Sequence, residues 1–127
     1  DDANVPSLLS MPYLGYCKKE DTLYQHTRSF ILSHHNPYYY QGTCASGIGS
    51  PHTPKNYIRH IALSMQGLTG TKEEAKKMIN LILETSNNEG LCHEGFNKDE
   101  PSEYTRFWFA WANSLFAELV YQTYFVK

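Results

Sequence analysis

No sign of charge dominates this sequence: 11 Lys and Arg stand against 13 Asp and Glu, a formal charge of −2. The positive residues are scattered rather than gathered on one face, so neither a nucleic acid nor an anionic membrane is expected as a partner. Long apolar runs are lacking as well. Stretches such as 80–83 and 107–112 are far shorter than the roughly 20 residues a membrane-spanning helix needs. Cysteine is sparse and odd in number, at Cys17, Cys44 and Cys92, which argues against a disulfide framework. The sequence has neither a secretory leader nor an initial Met, and its first residues read as the middle of something longer, so a fragment is expected.

Several chemical signatures are missing too. There is no phosphate-binding loop, dinucleotide fingerprint or G-x-S-x-G elbow, so no cofactor is expected. His34, His35, His52, His93, Cys44 and Cys92 could in principle gather a metal, but no two of them have a spacing that fixes a ligand pair locally, and no metal is expected. Cys92 and His93 are sequence neighbours whose side chains tend to diverge, so Cys92 reads as a small buried residue rather than a nucleophile.

What is present is enough for a folded core: 41% hydrophobic residues, with ten Tyr, six Phe and two Trp. That is more ring than filling requires, so some rings are expected at a ligand. Asp1, Asp2 and Asn4 supply caps for a first helix with Pro6 in its opening turn, stopping near residues 12–15. A second helix is predicted from Asp21 or Thr22 to about residue 33. A third is predicted over residues 55–68, with Ile58, Ile61, Ala62 and Met65 at helical spacing. The fourth opens on the capping box Thr71-Lys72-Glu73-Glu74, repeats Ala75, Met78, Ile79, Ile82 and Leu83, and ends at Asn87, Asn88 and Gly90. A last helix over residues 102–125 is apolar on nearly every side and so expected to be buried, with Phe107, Trp108, Phe109, Trp111 and Phe116 as core. Residues 34–54 and 91–101 read as long loops, and loops of that size usually have a task. With five helices and no strand, the expected class is all-α. If consecutive helices run up and down, the start of helix one and both long loops share one end, bringing Asp2, His52 and Glu94 together.

Glu94 lies in a glycine-flanked loop, where it is either an ordinary loop acid or a general base. Arg106, after an acidic stretch, either pairs with one of those carboxylates or reaches a ligand oxygen. Tyr38, Tyr39 and Tyr40 are packing residues or a sugar-stacking edge.

Four blocks in order carry a resemblance. They are Asp1-Asp2-Ala3-Asn4-Val5-Pro6-Ser7-Leu8-Leu9-Ser10-Met11-Pro12-Tyr13-Leu14-Gly15, then Gly47-Ile48-Gly49-Ser50-Pro51-His52-Thr53-Pro54, then Ile61-Ala62-Leu63-Ser64-Met65-Gln66-Gly67-Leu68-Thr69. The last is His93-Glu94 followed by Thr105-Arg106 and Trp108-Phe109-Ala110-Trp111-Ala112-Asn113-Ser114-Leu115-Phe116. Together they closely resemble glycoside hydrolase family 125. The resemblance implies that residues 1–127 are the C-terminal portion of an (α/α)6 barrel catalytic domain, about five of its twelve helices. It also implies inverting, metal-independent removal of non-reducing α-1,6-linked mannose. Glu94 matches the family's general base, and the general acid belongs upstream of Asp1. Asp2, Asn4, His52, His93 and Arg106 fall in family motifs near the site and are expected to bind substrate or support the residues that do. The implied partners are a mannose-containing glycan and the missing N-terminal part of the barrel. Gly95 stands where similar sequences often have Ser. The competing expectation is a non-catalytic helical interaction module, or a glycosidase relic, in which Glu94 would be exposed and unpartnered.

Overall fold

A computed structural model describes residues 1–4, 7–86 and 91–126. Among them are four helices, α1 (Thr22–Ile31), α2 (His60–Leu68), α3 (Lys72–Thr85) and α4 (Ala110–Tyr124). Five short strands accompany them: β1 (Tyr39–Gln41), β2 (Ser46–Ile48), β3 (Tyr57–Ile58), β4 (Gly95–Asn97) and β5 (Tyr104–Thr105). The strands form an antiparallel hairpin, β1-β2, and an antiparallel three-stranded sheet, β3-β4-β5. The all-α expectation, with its partial (α/α)6 barrel of five helices, is therefore wrong: the chain is an α+β unit.

Each error has a local cause. No helix is seen among the described residues before Asp21; Pro6, predicted in its first turn, lies outside them. Ser7 and Ser10 bond each other and the local backbone instead, the Ser7 N–H donating to Ser10 Oγ at 2.8 Å and Ser10 Oγ to the Ser7 carbonyl at 3.0 Å. Such side chains offer the backbone an alternative to the helix, and Pro12 removes a further donor. The predicted third helix begins five residues late, because Asn56 adopts a left-handed φ of 69° and Tyr57-Ile58 pair with Phe96-Asn97. Ile58 does face the core, which is why it matched a helical pattern, but from a strand. The predicted last helix begins at Ala110, since Tyr104 and Thr105 pair with Phe96 and Gly95 and Arg106 then turns left-handed at φ 56°. Phe107, Trp108 and Trp111 consequently stand 51%, 59% and 46% exposed rather than in the core. Strands of two or three residues carry too little alternation to register against a 3.6-residue period.

Where the pattern was strong it holds. Asp21 caps α1 by accepting the Tyr24 N–H at 3.0 Å, and the buried Tyr24 hydroxyl donates to the Leu9 carbonyl, tying down the first segment. Thr71 caps α3 by accepting the Glu74 N–H at 3.2 Å, but Glu74 does not close a capping box. Its carboxylate goes instead to Arg28 and to Gln66 Nε2, both at 3.0 Å. Residues 87, 88 and 90, predicted to stop this helix, lie outside the described residues. Thr71→Ala, which removes one cap bond at a free helix end, is expected to cost about 1 kcal/mol; an unchanged urea midpoint in the longer protein would count against the cap.

Helix α2 is buried over nearly all its length and lies against both α3 and α4. Gly67 permits the α4 approach, because a Cβ there would meet Leu119 Cδ1 at 2.8 Å. Ile48, Ile58, Leu63, Ile82, Phe96 and Leu119 are at most 1% exposed and join hairpin, sheet and helices into one core. Tyr38, Tyr39 and Tyr40 pack against it, so the structure uses them as packing residues.

Candidate active site

Glu94 sits immediately before β4, and its backbone is held at both ends. Its N–H donates to the Thr105 carbonyl at 3.0 Å, and its carbonyl accepts Arg59 Nε–H at 3.2 Å. The side chain is only 22% exposed, and Oε2 lies 3.5 Å from Arg106 Nε. Of the carboxylates that Arg106 could have chosen, it takes Glu94. Asp99 is engaged elsewhere, accepting the Thr43 N–H and Lys98 Nζ, bonds that hold its carboxyl below the usual range.

Arg59 is the hub. It is 4% exposed, and its Nη1 reaches Asn4 Oδ1 at 3.5 Å. Asn4 in turn donates from Nδ2 to Asp2 Oδ2 at 3.0 Å and from its backbone N–H to Asp2 Oδ1 at 3.3 Å. Burial pulls Arg59 below the ordinary arginine value, and the charges of Glu94 and Asp2 oppose that pull. The guanidinium carbons of Arg59 and Arg106 lie 5.8 and 5.6 Å from the centroid of the Phe109 ring, cation–π contacts to one aromatic.

The first segment reaches this place because the Ala3 N–H donates to the Gly49 carbonyl at 3.0 Å. Only glycine fits at 49, where a Cβ would lie 2.2 Å from the Tyr57 carbonyl oxygen. His52 is exposed on the next turn, its N–H held by Ser50 Oγ at 3.1 Å. That turn abuts the Glu94 strand: a side chain at Gly95 would press on Thr53 Cγ2 at 3.1 Å. Asp2, Asn4, Glu94 and Arg106 thus form one connected group with Arg59, and the turn that carries His52 approaches it at Thr53.

His93 is placed differently. It is 2% exposed and stacks on Tyr104 with ring centroids 4.0 Å apart. Its Nδ1 lies 3.1 Å from the Arg106 carbonyl and 3.0 Å from that of Phe107. Carbonyls only accept, so Nδ1 carries a proton and donates. The ring therefore braces the left-handed turn at Arg106, a conformation that costs about 1–3 kcal/mol and persists only where its surroundings impose it.

Two members escaped sequence reasoning, Arg59 and the fully buried His60. The available signal was two consecutive titratable residues between Ile58 and Ile61, because an ionisable pair inside an apolar run must find buried partners. Cys92 is buried, and its thiol is pushed up to about 12 by burial, as suits an inert packing residue. No group of three His, Cys, Asp or Glu side chains that could hold a metal occurs among the described residues. A cleft of about 460 Å³ lined by Tyr13, Lys19, Gly70, Glu118 and Gln122, among others, includes none of Glu94, Arg59 or Arg106.

The group thus joins one anchored carboxylate, Glu94, to two guanidinium groups and the Asn4 amide, with the exposed rings of Phe107 and Trp108 on the adjoining segment. The chain belongs to the metal-independent alpha-mannosidase family GH125, which it matches over residues 1–121. It is 44% identical over 122 residues to the meiotically up-regulated gene 157 protein of Schizosaccharomyces pombe, covering 94% of this chain and 24% of that protein. It also superposes on a Streptococcus pneumoniae structure from a family of metal-independent alpha mannosidases, in a non-productive complex with alpha-1,6-mannobiose. There the TM-score is 0.94 at 52% identity, over 97% of this chain and 29% of that one. The chain spans between about a quarter and a third of the length of these relatives.

Proposed function

We propose that residues 1–127 form part of the catalytic domain of a longer exo-α-mannosidase and supply the general base, Glu94, for inverting hydrolysis of non-reducing α-1,6-linked mannose. The observation that carries this reading is the fixation of Glu94, with backbone N–H and carbonyl both bonded and the carboxylate partly exposed beside Arg106. A base must be held in place relative to the water it activates, and a rigid strand end does this better than a free loop. An exposed, unpartnered Glu94 would have favoured a non-catalytic module.

In inversion, one carboxylic acid protonates the leaving oxygen while an ionised carboxylate about 6.5–9.5 Å away activates water on the opposite face of the sugar. Glu94 takes the second part. The acid comes from the remainder of the longer protein, the partner this chain needs. Asp2, Asn4, His52 and Arg106 contribute hydrogen bonds to mannose hydroxyls, and His93 supports Arg106 from beneath. The Streptococcus pneumoniae relative, solved with alpha-1,6-mannobiose, supports the choice of a mannose-containing glycan.

The test is NMR of the sugar released from an α-1,6-linked mannobiose by the longer protein. β-Mannose is expected first, with mutarotation following, and residues 1–127 by themselves are expected to release none. First-formed α-mannose would remove the inverting assignment.

A further inference from the structure

We propose that His60 is a positioning residue for Glu94: its neutral imidazole transmits the rigidity of α2 and α3 to the backbone that presents the carboxylate. This rests on reading Glu94 as the base. His60 is fully buried at the start of α2. Its Nδ1 accepts the His93 N–H at 2.8 Å, and its Nε2 lies 2.8 Å from Thr85 Oγ1, in the last turn of α3. Thr85 Oγ1 donates to the Leu81 carbonyl at 2.8 Å and so receives from His60. Both ends therefore require the same tautomer, with the proton on Nε2 and the lone pair on Nδ1.

A charged His60 would turn Nδ1 into a second donor facing the His93 N–H. The protein resists this, since burial, with His93 beside it, pushes His60 down to about 3. The anchored amide belongs to the residue before Glu94 and to the ring that braces Arg106. Loosening it would disturb the base and its ion-pair partner together.

The arrangement predicts an unusual ranking of variants in the longer protein. His60→Phe fills the slot and leaves Thr85 bonded to Leu81, but offers the His93 N–H no acceptor. His60→Asn is smaller and more polar, yet places Oδ1 where Nδ1 stood. If His60 only filled space, Phe would be the better replacement. If it positions Glu94, Asn retains most of kcat whereas Phe loses about tenfold to 10²-fold, with KM within about twofold, because a misplaced base hurts the step rather than binding. A Phe variant with full kcat, or an Asn variant no better than Phe, overturns the proposal.

Imidazole ¹⁵N shifts of the unmutated longer protein give a readout that does not depend on variants folding. They are expected to show His60 protonated on Nε2 alone between about pH 5 and 8. A proton on Nδ1 in that window overturns the proposal. If the unmutated protein fails to cleave α-mannosides, the reading of the site falls. Hydrogen exchange at the His93 amide, expected to be fast in the Phe variant and slow in the Asn variant, then decides whether His60 is the anchor.

Discussion

Glu94→Gln in the longer protein is expected to lower kcat on an α-1,6-linked mannobiose by about 10²–10⁴-fold, the usual worth of a positioned general base. Gln keeps the length of Glu and an oxygen for Arg106, so substrate binding should change little. What it loses is the capacity to take a proton from the attacking water. The fold should be kept, because both anchors of residue 94 are backbone groups, its N–H to Thr105 and its carbonyl to Arg59, and any loss of stability reflects the missing charge beside the buried Arg59. The measurement is mannose release at saturating substrate, with affinity measured separately by calorimetry. Undiminished turnover would take Glu94 out of the mechanism. Lost affinity with unchanged kcat would recast it as a binding residue.

Legibility from sequence divides along physical lines. Helix α3 was readable because its cap, Thr71, and its apolar repeat point to the same element over 14 residues. The β3-β4-β5 sheet was not, because its strands hold two or three residues each and their pairing is long-range. Helix parity predicts the grouping of Asp2, His52 and Glu94, yet the helix that opens that argument is not found among the described residues. The segments are brought together instead by the Ala3 N–H on the Gly49 carbonyl, by Arg59 between Asn4 and the Glu94 carbonyl, and by the close approach of Thr53 to Gly95. Arg106 could be placed near a carboxylate from sequence, but its choice of Glu94 depends on a left-handed turn held by His93, which no local pattern encodes. In sequence, the exposed Trp108 and Trp111 read as core residues, because an apolar run looks the same whether a helix buries it or a strand exit leaves it on a surface.

Arg59 carries the other large expectation. Arg59→Met preserves apolar bulk along the stem but removes the donor to the Glu94 carbonyl, the contact with Asn4 and the charge between Glu94 and Asp2. A hydrogen bond involving a charged group is worth about 1.5–3 kcal/mol when its loss leaves the partner unpaired, and a loss in that range is expected as a lower urea midpoint with unchanged slope. Activity should fall as well, since the strand end bearing the base and the segment bearing Asp2 and Asn4 lose their common tie. Arg59→Lys separates the two contributions. An ammonium restores a positive charge near Asp2 and Glu94 but cannot donate from the Nε position while also reaching Asn4 with a second planar arm. If charge compensation dominates, Lys recovers most of the stability; if the fork geometry dominates, Lys resembles Met. A Met variant with an unshifted midpoint and normal kcat/KM would show that Arg59 is not the tie between these segments, and the connection from Asp2 to Glu94 would have to be sought in the backbone bonds alone.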